Sequence, residues 1–393
     1  MKVASSKFLL RTIFMFCLFF LVGQGNSRVC AAPTVYPTGT TINDPAKTYV
    51  GYTLFQVKNP PRIVLIDMAG QVVHSWESQA FSLHYAEALP NGNILANAET
   101  AELNGLVELD WDGNIVWSFV YDKDLVKVHH DFERLTNGNT LILCKQTRTV
   151  PTISPLPIRD DYIIEVDPSG AIVWEWHTCD HYAEFGFNAE ARELIAETGG
   201  DWAHTNSIST LPPNSLGDSR LAPGNILVSQ RHTNIIYVIA KATGQITWKC
   251  GPDDNLTIGQ HDAEMIPEPL AGAGNILVFD NGGLGGYPYK FRMYSRVLEI
   301  DPLQKIVDWS YNAAVSGLHL FSFFSPFISS AQRLPNGNTM IDEGESGRIF
   351  EVTPEGEIVW EYVNPIFFQH FGQIQINSLY RAYRTSPDWP LLP

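Results

Sequence analysis

The feature that most constrains the fold is an internal repeat of about fifty residues. Six segments end in the same way, with a short apolar strand that carries a tryptophan: Trp76, Trp117, Trp174, Trp248, Trp309 and Trp360. Each follows another alternating strand and a turn rich in Asp, Gly or Pro, as in VELDWDGNIVW, which ends at Trp117. This alternation predicts two antiparallel strands in every repeat.

Every repeat except the earliest contains another strand pair, which lies before the pair that ends in tryptophan. Its turn is Asn-Gly-Asn at 91, 137 and 336, and is reduced to Gly-Asn at 224 and 274. Asn-Gly readily adopts the positive φ angles that a tight hairpin needs. Four strands in each of six units predict an all-β fold, a six-bladed β-propeller whose tryptophans pack between the blades.

The earliest repeat lacks its first strand, because nothing before GYTLFQV (51–57) resembles one. The tail QINSLYRAYR (375–384) resembles the strand HTNSIST (204–210) of the fourth repeat. We therefore predict that a C-terminal strand completes blade one and closes the ring, which leaves no open sheet edge at the junction.

The N-terminus has the pattern of a secretory signal peptide. Three basic residues, Lys2, Lys7 and Arg11, precede an apolar run at 12–23, and small residues follow that run. The run is too short for a comfortable bilayer span, although a retained anchor stays open as the alternative. The sequence thus predicts three parts: a signal peptide at 1–31, a short lead at 32–48 and the propeller at 49–393.

Export implies a periplasmic or secreted protein without a membrane partner after signal cleavage. The net charge of -16 argues against nucleic acid as a partner, because both would repel each other. In an oxidising compartment one disulfide is expected among the three cysteines of the mature chain. The comparable places of Cys179 and Cys250 in their repeats favour that pair over one with Cys144.

One position of the repeat concentrates histidines. Aligning the repeats on the leucine or isoleucine before the first turn, and reading five residues back, gives His84, His130, Asn206, His261 and Ser329. His204 lies two residues before Asn206, and side chains at even offsets share one face of a strand. The pattern predicts imidazoles at one end of the propeller axis, as in a metal site, an acid/base centre or a histidine nucleophile.

The residues near these histidines favour an anion over a metal. Asp131 and Asp262 each directly follow a histidine, so on a regular strand they face the other way. Arg231 follows the second strand of the fourth repeat and would repel a cation. Its planar fork of N–H donors fits a tetrahedral oxyanion, so we expect neither a metal nor another cofactor.

Four motifs together resemble one known family. They are HHDF (129–132), DWAHTNS (201–207), SQRHTN (229–234) and GQHDAEM (259–265). In this order, on this repeat, they resemble the bacterial arylsulfate sulfotransferases, and the resemblance extends from about residue 49 to the end. Those proteins are secreted six-bladed propellers that move a sulfuryl group between phenols without a nucleotide donor.

The resemblance implies roles for individual residues. His261 would be the nucleophile, and His204 the group that protonates the leaving phenolate and deprotonates the acceptor. Arg231, Asn206 and a histidine of the HHD motif would hold the sulfuryl oxygens. The repeat register selects His130, and His129 stays a candidate substrate-binding residue. An aryl sulfate donor and a phenolic acceptor would be the substrates. Better-known members also carry an N-terminal β-rich domain that helps them dimerise, so the short lead here leaves the oligomeric state open.

Two segments interrupt the repeat. The apolar run at 318–327 fits an aromatic-binding wall, an oligomer contact or a core plug. The segment 188–200 is predicted to form a helix between an Asn start and a Gly stop.

Two alternative functions stay open. KATGQITW (241–248) resembles a phrase of pyrroloquinoline-quinone dehydrogenases, which would make the protein an oxidoreductase. A binding propeller without chemistry is the other alternative.

Overall fold

The computed structural model describes four stretches of the chain: residues 37–124, 126–251, 253–370 and 374–389. The predicted signal peptide, residues 1–31, lies outside the described residues. Within the described stretches, no helix combines the length and the hydropathy that crossing a membrane requires.

Short strands joined by tight turns make up most of the described chain. The first half contains β1 (Gly39–Asn43), β2 (Thr53–Lys58), β3 (Pro61–Ile66), β4 (Val72–Trp76), β5 (Ser82–Ala88), β6 (Ile94–Glu99), β7 (Leu103–Leu109), β8 (Ile115–Asp122), β9 (Val128–Arg134), β10 (Thr140–Arg148), β11 (Ile158–Val166) and β12 (Ile172–His177). The second half contains β13 (Thr205–Thr210), β14 (Ile226–Gln230), β15 (Ile235–Ile239), β16 (Ile246–Cys250), β17 (His261–Met265), β18 (Ile276–Asp280), β19 (Gly283–Gly285), β20 (Lys290–Arg292), β21 (Arg296–Asp301), β22 (Ile306–Tyr311), β23 (Ser330–Arg333), β24 (Thr339–Glu343), β25 (Arg348–Val352), β26 (Ile358–Val363), β27 (Phe368–His370), β28 (Ile374–Ile376) and β29 (Ala382–Arg384).

These strands form the predicted six-bladed β-propeller. Named from the axis outward, the blades are β29-β2-β3-β4, β5-β6-β7-β8, β9-β10-β11-β12, β13-β14-β15-β16, β17-β18-β21-β22 and β23-β24-β25-β26. All pairings within them are antiparallel. Neighbouring blades contact each other through their inner strands, except that blades one and two meet through β2 and β5. β19 and β20 form a hairpin inserted in blade five, and β27 and β28 form another near the C-terminus.

The chain divides into two compact units. The larger one, Thr34–Phe368 with Ile376–Pro393, contains the six blades. The smaller one comprises Met1–Pro33 and Gln369–Gln375, and its described residues belong to the β27–β28 hairpin.

The ring closes as predicted, through a C-terminal strand in blade one. Ala382, Tyr383 and Arg384 of β29 pair with Phe55, Leu54 and Thr53 of β2. Only these three residues of the predicted stretch 375–384 pair there. At the outer edge of blade six, β1 adds a fifth strand beside β26, so part of the lead at 32–48 joins the propeller.

The tryptophans link each blade to the next one through their indole N–H groups. Each donates to a turn carbonyl of the following blade: Trp76 to Asp110 (2.9 Å), Trp117 to Pro168 (3.0 Å), Trp176 to Gly244 (2.7 Å), Trp248 to Pro302 (2.7 Å), Trp309 to Pro354 (2.8 Å) and Trp360 to Met68 (2.9 Å). Blade three uses Trp176, two residues beyond the tryptophan that marks its repeat. The last bond joins blade six to blade one and therefore reinforces the ring closure.

Apolar side chains fill the interfaces between the blades. The described residues form six buried clusters, one for each pair of neighbouring blades. Across the closing junction, Phe55 of blade one shares a cluster with Met340 of blade six. Burial of these side chains supplies the main favourable free energy of folding.

The predicted helix in the insertion at 188–200 is confirmed. It is α1 (Ala189–Thr198), where the Asn188 side chain accepts a hydrogen bond from the Ala191 N–H and Gly199 forms the C-cap. The described stretches also contain five short 3-10 helices: Thr178–Phe185, Ser219–Leu221, Ala313–Ser316, Leu320–Ser322 and Gly344–Ser346.

The predicted disulfide between Cys179 and Cys250 is wrong. Cys144, Cys179 and Cys250 are all buried free thiols. Cys179 packs in the cluster between blades three and four, and Cys250 in the cluster between blades four and five. The two thiols therefore lie on opposite faces of blade four, where no disulfide can join them.

Candidate active site

The inner strands of blades two to five are irregular where the predicted histidine position lies. A β-bulge interrupts the pairing between Leu83 and Ala86, between Thr205 and Ser207, and between His261 and Glu264. Blade three has a larger irregularity, since Cys144 pairs with Val128 and Ile142 with Phe132. A bulge changes the direction in which nearby side chains point, so in these four blades the interruptions can direct side chains toward the axis.

Two of the histidines also have backbone angles that are rare for residues with a side chain. His130 has φ 60° and His204 has φ 52°. This left-handed conformation costs free energy, and proteins tend to retain it at functional sites. The strained backbone brings the two imidazoles together, with ring centroids 5.0 Å apart.

His129 and His130 both line a cavity of about 250 Å³ at this end of the axis. Their Nδ1 atoms lie 2.5 Å apart, and His129 Nε2 is 3.2 Å from the Cys144 carbonyl oxygen. Burial lowers the pKa of both imidazoles well below the ordinary value. Both are therefore neutral near pH 7, and the irregular strand lets adjacent residues reach one cavity.

His204 is oriented by a carboxylate. Its Nδ1 lies 2.6 Å from Oδ2 of Asp201, and Arg159 binds the same oxygen. Burial alone would raise the pKa of Asp201, but the hydrogen bond and charge from His204 outweigh it, and Arg159 helps lower that pKa to about 2. A carboxylate must accept the proton of Nδ1, which leaves Nε2 of His204 free for proton transfer.

Arg231 contacts His232 and the carbonyl of Pro326. Its Nη1 lies 3.2 Å from Nε2 of His232, and its Nη2 is 3.4 Å from the Pro326 oxygen. His232 donates its Nδ1 hydrogen to the Asp201 carbonyl at 2.6 Å, and burial lowers the His232 pKa to about 4. Arg231 therefore has a neutral imidazole as its neighbour, and no described carboxylate forms an ion pair with it. Its Nε is buried without a hydrogen-bond partner.

His261 is buried, and the identity of its protonated nitrogen follows from Asn281. The Asn281 Nδ2 donates to the carbonyls of Ser325 and Ile328, both at 2.8 Å, which turns Oδ1 toward His261. That oxygen lies 2.8 Å from Nδ1 of His261 and must accept its hydrogen. The lone pair therefore belongs to Nε2, where the Ile328 N–H makes a 3.3 Å contact. Burial and the charge of Arg231 lower the His261 pKa well below its ordinary value, so this imidazole is neutral.

The segment before blade six joins these groups. Pro326 accepts from Arg231, and Ile328 contacts His261, so both ends of this short segment touch the site. The apolar run at 318–327, for which an aromatic-binding wall was one of three alternatives, thus contacts the site through Pro326. Phe321 and Phe327 of the same region are exposed, whereas Phe323 is buried in the cluster between blades five and six.

Asn206 lies beneath the histidines rather than in open view. Its side chain is fully buried, and Nδ2 donates to the Gln260 carbonyl at 2.8 Å. This bond fixes the peptide that precedes His261. Its contact with a sulfuryl oxygen stays a prediction.

A buried ion-pair cluster lies on the axis below the site. Arg381, which directly precedes β29, donates to Asp131 at 2.8 and 3.2 Å and lies 3.3 Å from Asp262. It also donates to the Asn206 carbonyl at 2.8 Å. Asp131 and Asp262 do face away from the histidines that precede them, as predicted, and one arginine joins the inner strands of blades three, four and five.

One group of described side chains has the composition of a metal site: Asp201, His204 and His232. The sequence analysis considered only Asp131 and Asp262 as carboxylates near the histidines, and this was wrong, because Asp201 binds His204. Arg159 already neutralises this carboxylate, and Arg231 occupies Nε2 of His232. The surrounding charge favours an anion here over a cation.

Three residues with clear roles in the site were not identified from the sequence. Asp201 lies three residues before His204, inside a motif that was recognised for its histidine. Asn281 follows β18 as Arg231 follows β14, so the two occupy equivalent positions in neighbouring blades. His232 adjoins Arg231 in sequence. The repeat register that singled out Arg231 therefore also carried the signal for Asn281.

The family comparison agrees with this geometry. A model of the family described as Arylsulfotransferase (ASST) matches residues 39–364, which is most of the chain and includes all four motifs singled out in the sequence. The chain belongs to the arylsulfotransferase family. Membership supports a sulfotransferase activity for this propeller. No curated protein matches the sequence.

One solved structure shares the fold at low sequence identity, and another matches more weakly. A protein of unknown function from Bacteroides caccae has 15% identity and a TM-score of 0.52, and the match covers 86% of this arylsulfotransferase and 100% of that chain. Virginiamycin B lyase from Staphylococcus aureus has 11% identity and a TM-score of 0.41, with 88% and 94% of the two chains covered.

Proposed function

We propose that this protein moves a sulfuryl group from an aryl sulfate to a phenol through a covalent sulfohistidine at His261. The observation that carries the proposal is the combination of an unpaired cation and a neutral imidazole at the site. Arg231 is a partly buried cation without a carboxylate partner among the described residues, and the neighbouring His261 is a neutral buried imidazole. A cation in such surroundings is stabilised by binding an anion.

In the first half-reaction, Nε2 of His261 attacks the sulfur of the aryl sulfate. The nitrogen lone pair forms the N–S bond while the bond from sulfur to the aryl oxygen breaks, and its electrons leave with the phenolate. His204 Nε2 donates a proton to that oxygen, and Asp201 stabilises the imidazolium form that supplies it. The 3.3 Å contact of Ile328 with His261 Nε2 is given up when sulfur approaches.

In the second half-reaction, a phenol takes the place of the first one. His204 removes its proton, the phenol oxygen attacks sulfur, and the N–S bond returns its electrons to Nε2 of His261. Arg231 and His130 hold the sulfuryl oxygens in both steps, with Asn206 as a further predicted contact. Removal of one such donor typically costs roughly 100- to 1,000-fold in rate.

The test needs only purified protein, p-nitrophenyl sulfate and phenol, without any nucleotide. Sustained release of coloured p-nitrophenolate only when phenol is present, with formation of phenyl sulfate, is the expected result. Equal release without phenol would identify a hydrolase instead. His261→Asn keeps a polar side chain of similar size and should remove the activity; full activity in this variant would contradict the proposed nucleophile.

A further inference from the structure

The cavity next to His129 and His130 extends away from Arg231 and His261, toward blades one and two. Its walls on that side include Gln56, Lys58 and His84. These residues take no part in the sulfuryl chemistry described above. The cavity volume of about 250 Å³ exceeds the roughly 150 Å³ that suffices to hold a benzene ring.

Gln56 and Lys58 are two residues apart on β2, so both side chains lie on one face of the strand. Gln56 is 5% exposed, and its amide makes no hydrogen bond within the described residues, although it borders the cavity. A buried amide in this position is unsatisfied unless something in the cavity binds it. Its unused hydrogen-bonding capacity points to a polar ligand group.

Lys58 supplies a positive charge at the same end of the cavity. No described carboxylate pairs with its ammonium, which lies 4.9 Å from the centroid of the Phe368 ring. Glu99, which lies 3.5 Å from His84 of this wall, pairs with Lys123. The ammonium of Lys58 is therefore available to an anion, in a protein whose net charge is -16.

The opposite wall is aromatic. Tyr380 lines the cavity with its ring centroid 6.0 Å from that of His130, and Tyr85 lies 5.6 Å from Tyr380. The cavity therefore combines aromatic rings, against which a phenol ring can pack, with the polar side chains of Gln56 and Lys58. A second, polar substituent on such a ring could be bound by Gln56 and Lys58.

We propose that Gln56 and Lys58, with His84, form a subsite for a second anionic group on the aromatic ring, so that the substrates are phenols bearing a carboxylate or a sulfonate. The assignment of this ligand as a substrate rests on the proposed function. Binding of the ligand to the resting protein does not.

The experiment compares three acceptors in transfer from p-nitrophenyl sulfate: 4-hydroxybenzoate, 4-hydroxybenzenesulfonate and neutral 4-hydroxybenzamide. Wild-type protein should prefer the acids in kcat/KM. Lys58→Met should reduce the ratio of acid to amide by roughly tenfold, as expected for loss of one hydrogen bond to a charged group. Lys58→Glu should reduce it further. Preference for only one of the two acids identifies which anionic group the subsite accepts.

Lys47→Met is the matched control, because Lys47 is exposed and pairs with Glu357. It removes the same charge and should leave the acid-to-amide ratio unchanged. Wild-type protein without any preference, or Lys58 variants with the wild-type ratio, would overturn the subsite while leaving sulfuryl transfer intact.

Calorimetric titration of 4-hydroxybenzoate into the resting protein separates the two proposals. Binding that is lost in Lys58→Glu but kept in Lys47→Met supports the subsite even where no transfer occurs, and absence of transfer would contradict the proposed function alone. Equal binding by all three proteins would overturn the subsite.

Discussion

Asp201 accepts a 2.6 Å hydrogen bond from Nδ1 of His204 and thereby determines which nitrogen of that histidine faces the site. The arrangement resembles the second and third members of a hydrolytic triad, in which a carboxylate fixes the tautomer and stabilises the protonated ring. In the proposed mechanism, proton transfer and nucleophilic attack therefore belong to different histidines, and Asn281 determines the tautomer of His261.

Asp201→Asn should slow transfer by at least about 100-fold, because general acid–base catalysis typically contributes that much or more. The loss should depend on the donor. Release of p-nitrophenol, a good leaving group, needs little protonation, whereas release of phenol from phenyl sulfate needs more. Burst rates with the two donors measure the difference, and Asp253→Asn, at an exposed position, is the control. An equal loss with both donors would assign Asp201 a structural role only.

Arg231→Lys should lower kcat substantially although the net charge is unchanged. Lysine keeps one positive charge but loses the planar fork that meets two sulfuryl oxygens at once. Steady-state kinetics measures the effect, with Arg220→Lys at an exposed site as the control. Wild-type turnover in Arg231→Lys would show that Arg231 does not bind the oxyanion.

Arg381→Met should destabilise the protein by about 3–5 kcal/mol, because it leaves the buried carboxylates of Asp131 and Asp262 without their cation. Denaturant unfolding followed by tryptophan fluorescence measures the free energy. Adding Asp131→Asn and Asp262→Asn should restore part of the loss, since the amides carry no charge. A single variant as stable as the wild type would contradict the role assigned to this ion-pair cluster.

Deletion of residues 375–393 should yield insoluble or readily proteolysed protein. It removes β29 from blade one and exposes the backbone edge of β2, which otherwise pairs with Ala382–Arg384. Limited proteolysis and thermal melting compare the truncated and full chains. Unchanged melting would place the ring closure elsewhere.

The blades were predictable from the sequence because their signals are local. Alternation, Asn-Gly turns and recurring tryptophans fall within single repeats, and the resemblance of the tail to another strand located the closure. The bulges could not be predicted, since inserted residues such as Asn206 do not differ in type from their neighbours. For the same reason the regular alternation of a strand could not predict that both His129 and His130 reach one cavity.

Contacts that join distant parts of the chain were the least predictable. The Cys179–Cys250 pair failed because sequence spacing says nothing about which side of blade four each thiol faces. Arg381 lies 250 residues from Asp131, and no periodic pattern connects them. Asn281 was accessible in principle, through its equivalence to Arg231 in the repeat.

The proposed mechanism requires that His261 becomes covalently sulfated, and intact-protein mass spectrometry can detect this modification. With p-nitrophenyl sulfate and no acceptor, the account predicts a mass increase of about 80 Da, a burst of one p-nitrophenol per site and a label that maps to His261 and disappears when phenol is added. His261→Asn should show neither label nor burst, while His130→Asn should show a slower burst. A label on His204, or no label under any condition, would contradict covalent sulfation of His261.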